Sequence, residues 1–324
     1  QSLTLECENL TSLPESIGDL ELLQSLALES AWLSSLPESI GDLKALKTLN
    51  LSGCKRLFLL PASIGNLKTL EYINLGQCDV LQSLPESIRH IPNLTYFNFS
   101  GAVSLIAVPE WIGELTALTY LGIGSDEVIL LPESIGNLTN LKKLVIGGDQ
   151  LASLPETMGN LIKLKFLAIW WCDSLTSLPE SIGNLKALTS LELTGCKSLT
   201  SLPESIGNLK TLEYIAIDVT GWLLTSLPES IGNLVKLKHL ILKGCEALTS
   251  LPESMSNLTN LRILDVAGCP NLTVLPESIT SIPSLTNYIR RHDGMAAAGE
   301  NEVEFVDSSS DDDVISVSSS TDED

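Results

Sequence analysis

Three kinds of side chain in this 324-residue sequence could do chemistry: seven cysteines, three histidines and a glutamate that recurs every 23 to 25 residues. Cys7, Cys54, Cys78, Cys172, Cys196, Cys245 and Cys269 are odd in number, widely spread and never in a CxxC pair, which suits neither a zinc centre nor a dense disulfide framework. That usage points to a reducing compartment, the cytoplasm first and the nucleus as the alternative. His90, His239 and His292 stand far apart, giving no His-based triad and no metal centre. The glutamates come one per Leu-Pro-Glu-Ser, a solvated face rather than the paired carboxylates of a hydrolase. No Gly-rich phosphate loop followed by Lys-Ser/Thr occurs. The sequence therefore predicts no enzyme, no cofactor and no metal site.

Charge narrows the partners. Nineteen Lys and Arg against 40 Asp and Glu leave a net −21, of which ten negative charges lie in residues 300–324. Phosphate binding needs clustered cations, so neither nucleic acid nor an anionic membrane is expected as the main partner. No stretch approaches the ~18–20 consecutive apolar residues of a transmembrane helix.

Whatever the chain does must be positioned by its repeat. Twelve of the fifteen prolines fall at 14, 37, 61, 85, 109, 132, 155, 179, 203, 228, 252 and 276. Each is preceded by Leu, or by Val108, and followed by an apolar residue three and six positions on. A full unit reads Leu185-x-x-Leu188-x-x-Leu191-x-Leu193-x-x-Cys196-x-x-Leu199-x-x-Leu202-Pro203-x-x-Ile206-x-x-Leu209. Leu191-x-Leu193 has the period of two of a strand. Pro203 is placed at the first position of a short helix or 3₁₀ turn, with Glu204 favoured near its N-terminal amides and Gly207 ending it. One such unit cannot bury its own apolar ridge, so neighbours must stack and share a core.

This wording resembles the leucine-rich repeat family, whose LxxLxLxx(N/C)xL signature is met by nearly every unit over residues 1–289. The phrase LPESIGNL…LxLxGCxxLxSLP is similar to the repeats of plant intracellular immune receptors of the nucleotide-binding type, and to Ras-group leucine-rich repeat proteins. The resemblance implies an α/β solenoid, a horseshoe of about 12 units of 23–25 residues, with a parallel β-sheet on the concave face and short 3₁₀ or helical turns on the convex face. It implies a protein-recognition module, the sensing or regulatory region of a plant-type intracellular defence protein. The alternative is a Ras-group-like signalling scaffold binding a small GTPase or phosphatase. The nucleotide-binding module itself is not encoded in these residues. The chain begins with Gln1 inside a strand, Leu3-x-Leu5, and without a polar cap, so an excised piece of a larger protein is expected.

The family also gives the cysteines a place. Seventeen residues after each Pro stand Ala31, Cys54, Cys78, Ala102, Asp126, Asp149, Cys172, Cys196, Thr220, Cys245 and Cys269, the position of its buried Asn or Cys ladder. Asp126 and Asp149 depart from it, in 23-residue units, and are expected to mark a local shift of the loop. Tyr288 is expected at a core position, and Arg290 where earlier units have an apolar strand residue, so the array should end near Ile289.

The concave face is the implied binding surface. Eleven residues after each Pro runs a column that holds Tyr72, Tyr96, Tyr120, Phe166, Tyr214 and His239, with Lys143 among them. Strand spacing of ~4.8 Å predicts an aromatic ladder there. Trp170 and Asp218 point outward further along their strands, and Trp171 lies at the strand exit. These side chains are the candidate contacts for a protein partner, Trp170 foremost, because Tyr and Trp bring large area at low entropic cost; the competing reading is cross-strand filler. Asn-x-Ser/Thr at Asn9, Asn93, Asn98, Asn137, Asn257 and Asn271 reads mainly as a by-product of NL meeting Thr.

Residues 290–324 are read as a disordered, acidic, Ser-rich tail. Its two apolar islands, Val303, Phe305 and Val306, then Val314, Ile315 and Val317, stand beside acidic and phosphorylatable residues. They resemble a SUMO-interacting motif, which adds a strand to the modifier's sheet. SUMO or a basic protein surface is the implied partner, against a purely solubilising role.

Overall fold

The computed structural model describes residues 1–290 apart from 8, 219–222, 277–278, 280–281 and 286–288. The tail candidates Val303, Phe305, Val306, Val314, Ile315 and Val317, and the ladder position Thr220, lie outside the described residues.

Among the described residues thirteen parallel strands form one sheet in sequence order. They are β1 (Ser2–Glu6), β2 (Ser25–Glu29), β3 (Thr48–Asn50), β4 (Tyr72–Asn74), β5 (Tyr96–Phe99), β6 (Tyr120–Gly124), β7 (Lys143–Gly147), β8 (Phe166–Trp170), β9 (Ser190–Thr194), β10 (Tyr214–Asp218), β11 (His239–Lys243), β12 (Ile263–Asp265) and β13 (Ile289–Arg290). From β2 to β12 every strand begins eleven residues after a periodic Pro. The inward residues of each strand, such as Leu191 and Leu193, are fully buried between the sheet and the turns behind it. Each contributes ~1.5–3 kcal/mol by leaving water. Among the described residues the aromatic members of a mainly aliphatic core are Phe97 and Phe99, whose rings meet edge to face at 5.1 Å, and Trp111.

The back of the solenoid is a stack of five-residue 3₁₀ turns such as Glu180–Asn184 and Glu204–Asn208. Two details differ from the sequence reading. Pro203 is the extended cap (φ −69°, ψ 151°) outside the turn, because the ring and the missing N–H suit the residue before the first bonded amide. Gly207 does not end the turn, which closes when the Leu209 N–H donates to the Ile206 carbonyl. Its role is close approach, since a Cβ on Gly207 would lie 2.5 Å from the carbonyl oxygen of Ser230 in the next unit. The recurrent Glu is more than a solvated face. Its carboxylate accepts the backbone N–H of Ser in the following unit, as in Ser205 to Glu180 and Ser230 to Glu204, each at 3.3 Å.

At the end of the sheet the frame slips by one residue. Ile289 pairs with Leu264 and Arg290 with Asp265, so Arg290 falls in register with an outward position.

The buried ladder beside the strands is made as expected at four cysteines of 24-residue units. The thiols of Cys54, Cys78, Cys196 and Cys269 donate to Leu28, Leu51, Ile169 and Leu242 carbonyls at 2.9 to 3.4 Å. Burial pushes the Cys54 and Cys78 thiols up, and contact with Cys196 and then burial push Cys172 up, which keeps these sulfurs protonated and unreactive. In 23-residue units one residue is missing between strand and ladder. Ser30 and Ser125 then take the slot, each 1% exposed and each donating to a carbonyl of the preceding unit, while Ala31, Asp126 and Asp149 move out to solvent.

Candidate functional site

The outward residues of the strands form three columns, set by the register of the parallel ladder. In the first column Tyr72, Tyr96 and Tyr120 stack face to face, with ring centroids 4.1 and 4.2 Å apart and planes within 11°. Lys143 continues the row, its Nζ 5.9 Å from the Tyr120 ring and 4.5 Å from that of Phe166, so a cation sits between two aromatic faces. Ser190 of β9 interrupts the series. Beyond it Tyr214 and His239 pair edge to face at 6.0 Å. The structure thus brings Tyr72, Tyr96, Tyr120 and Phe166 into one row and leaves Tyr214 and His239 as a second group.

Burial raises the Tyr96 and Tyr120 phenols, Tyr96 well above its ordinary range. Tyr214 is pushed up to about 12, first by burial and then by the charges of Glu192 and Asp218. These hydroxyls remain protonated donors. His239 is depressed by burial and by Arg262 and Lys238, which favours neutral imidazole.

The second column changes character along the sheet. In β3, β4 and β5 it holds Asn50, Asn74 and Asn98, whose carboxamide oxygens accept the N–H two residues on at 3.0 to 3.1 Å. Those bonds turn the backbone out of the sheet and shorten β3 and β4 to three residues. In β6, β7 and β8 the column becomes Gly122, Val145 and Ala168, and the strands run five residues. Gly122 makes room for its neighbour, since a Cβ there would lie 2.1 Å from Asn98 Oδ1 and would push that carboxamide off the Ser100 N–H.

The third column ends in an apolar hollow of about 200 Å³ at the exits of β6 to β8. Its floor includes Gly124, Val145 and Gly147, and its walls include Val103, Trp170 and Trp171. Trp170 is 37% exposed, and its indole N–H donates to Glu192 at 3.3 Å. Trp171 is 56% exposed and has φ +57°. The equivalent turn position is Gly53, Gly101, Gly195, Gly244 and Gly268 in five other units and Gln77 in one, all with positive φ. A bulky L-residue there costs about 1 kcal/mol or more. Asp218 lies in the third column of β10 and is already engaged, 3.9 Å from Lys243.

Val103 and the glycine floor were not among the sequence candidates, and Trp171 was placed only at the strand exit. One signal was available for Trp171: aligned on the prolines, it replaces the Gly that precedes Cys in most units. Among the described residues no group of His, Cys, Asp and Glu is placed to hold a metal ion, and no helix is long and apolar enough to cross a membrane.

A profile described as a leucine-rich repeat region matches residues 1–100 and 109–227, and a leucine-rich repeat profile matches residues 260–282. The chain belongs to the leucine-rich repeat family. No curated protein matches it by sequence. Among solved structures, a leucine-rich repeat protein of Leptospira interrogans is 28% identical over 90% of this chain and 83% of its own, with a TM-score of 0.54. The plant peptide hormone receptor RGFR1, solved in complex with RGF2, is 28% identical over 90% of this chain, with a TM-score of 0.62. This chain covers 49% of that receptor. The leucine-rich repeat domain of the type III effector XopL is 29% identical over 64% of this chain and 72% of its own, with a TM-score of 0.55.

Proposed function

We propose that this chain is a protein-recognition module that holds its partner on the inner face of the sheet around β4 to β8. One observation carries the reading. Seven of the fifteen aromatic residues (Tyr72, Tyr96, Tyr120, Phe166, Trp170, Trp171 and Tyr214) stand in the outward columns or at a strand exit. Interfaces concentrate such rings, because they desolvate much area with few rotors to freeze. A hormone receptor and an effector among the similar structures support a recognition role over catalysis. The test is a partner recovered in a two-hybrid screen with this chain as bait. Its affinity for protein carrying Tyr96→Ala, Tyr120→Ala and Trp170→Ala should fall about a hundred-fold, and an unchanged affinity would sink the reading.

The finer role we infer is the sensing or regulatory region of a plant-type intracellular defence protein, with SUMO or a basic protein surface as the partner of the acidic segment after residue 289. Its support is the LPESIGNL…LxLxGCxxLxSLP wording. The sequence encoded upstream of Gln1 tests it. A nucleotide-binding module there supports the defence role, and a start codon immediately before it favours a stand-alone scaffold of the Ras-group type.

A further inference from the structure

The inner face of β6 to β8 differs in charge from the rest of the chain. Acidic residues outnumber basic ones 40 to 19 overall, yet 119–124, 142–147 and 165–170 contain no Asp or Glu and three lysines. Lys142, Lys143 and Lys165 are all exposed at the upstream ends of β7 and β8. Lys142 and Lys165 stand in adjacent repeat units, the Lys165 N–H donating to the Lys142 carbonyl at 2.8 Å. None of the three has a carboxylate within ion-pair distance among the described residues. Lysines flanking other strands are neutralised, as Lys47 is by Glu71 at 3.2 Å and Lys238 by Glu213 at 2.6 Å. At physiological salt, charges more than about 8 Å away are largely screened, so a ligand at this rim meets the lysines rather than the distant net charge.

At the downstream ends of the same strands lies the apolar hollow walled by Trp170 and Trp171, with Asp126 at its edge. The two features are four residues apart along a strand, or ~13 Å. Between and beside them the outward positions are Gly122, Val145, Ala168, Gly124 and Gly147, a low floor of small residues along which an extended segment can lie. From this juxtaposition we propose that β6 to β8 bind an extended peptide segment of a partner protein. The segment carries a carboxylate side chain on Lys142, Lys143 and Lys165, and three to five residues away a bulky apolar side chain in the Trp170–Trp171 hollow. Asp126 and Asp149 at the downstream rim repel a second negative charge, which fixes the direction in which the segment runs. An alkyl carboxylate fits less well, because its chain would lie uncovered across the open sheet between the two points. This assignment rests on the reading of the inner face as the docking surface.

The test is selection of a displayed random dodecapeptide library on the purified protein. Fluorescence polarisation then follows the selected peptides on wild type, K142E/K143E/K165E, W171G and Y72A/Y96A, each shown to be folded by circular dichroism. Selected peptides should share Asp or Glu three to five residues from Trp, Phe or Leu. Their affinity should fall with added salt and weaken about ten-fold or more on the charge-reversed protein, and W171G should weaken it without lowering the unfolding midpoint. No binder, binders lacking a carboxylate, or binders held equally by the charge-reversed protein would overturn the proposal. If such binders still respond to Y72A/Y96A, only this assignment fails; if they respond to no variant, the inner-face reading fails with it.

Discussion

The back of the solenoid and its inner face obey opposite rules. On the back, Glu-Ser-Ile-Gly-Asn recurs with little change because each residue is fixed by the next unit. The Gly faces a neighbouring Ser backbone, the Glu accepts that Ser N–H, and the Ile fills the core. On the inner face the outward columns touch only their lateral neighbours, so their residue types are free to vary. They run from Tyr and Asn through Gly, Lys and Trp to Ser, Glu and His. Repetition marks where units hold each other; departure from it marks where the chain is free to meet something else.

The sharpest way to break that contrast is to disturb the back. Gly113→Val would put a Cβ 2.3 Å from the Ser134 carbonyl oxygen, a contact with backbone that cannot swing aside. It should cost about 3 kcal/mol or more in urea unfolding, and a loss below 1 kcal/mol would contradict the packing account. Removing two inter-unit bonds with Glu180→Ala and Glu204→Ala should cost about 1–2 kcal/mol in the same assay, since both lie at the surface. Trp171→Gly should have the opposite sign, with stability unchanged or raised by up to ~1 kcal/mol as the positive φ is relieved. A large destabilisation there would show Trp171 to be a packing residue and erase the difference between the two faces.

The smallest effect is a pH dependence on the inner face. Burial, Arg262 and Lys238 hold His239 below the ordinary imidazole value of 6.5. The unfolded chain therefore takes up a proton that the folded chain resists. Its contribution to stability is complete above pH 6.5 and is lost as pH falls toward the folded pKa. The imidazole shifts in an NMR titration should move below that value, and His239→Gln should flatten the acid side of the stability profile.

Much of the fold was legible because proline sets a rigid frame. Counting eleven residues from Pro61, Pro85 and Pro109 places Tyr72, Tyr96 and Tyr120 at adjacent strand starts, and the rings do stack. The same counting failed where a unit lost one residue. It left Ala31 in the ladder, whereas Ser30 is the buried donor, because the deletion falls between strand and ladder and leaves the frame on either side intact; at Asp126 the expected shift of the loop is found, with Ser125 in the slot. It also put Tyr288 where Ile289 pairs with Leu264. The glycine floor and the unpaired lysines were harder to see. Gly122 matters through Asn98 on the neighbouring strand, and Lys142 stands out only against the partnered Lys47 and Lys238. Such relations run between units, across about 24 residues of sequence, and are invisible within one.

If partner binding resides on the inner face and stability on the back, the two properties should separate on mutation. The most direct measurement is the affinity of the recovered partner, by calorimetric titration, for the inner triple variant Tyr96→Ala, Tyr120→Ala, Trp170→Ala and for the back variant Glu180→Ala, Glu204→Ala. A loss of about a hundred-fold is expected for the inner variant, with wild-type affinity for the back variant. Equal affinity for the inner variant, or an equal loss for both, would contradict that separation.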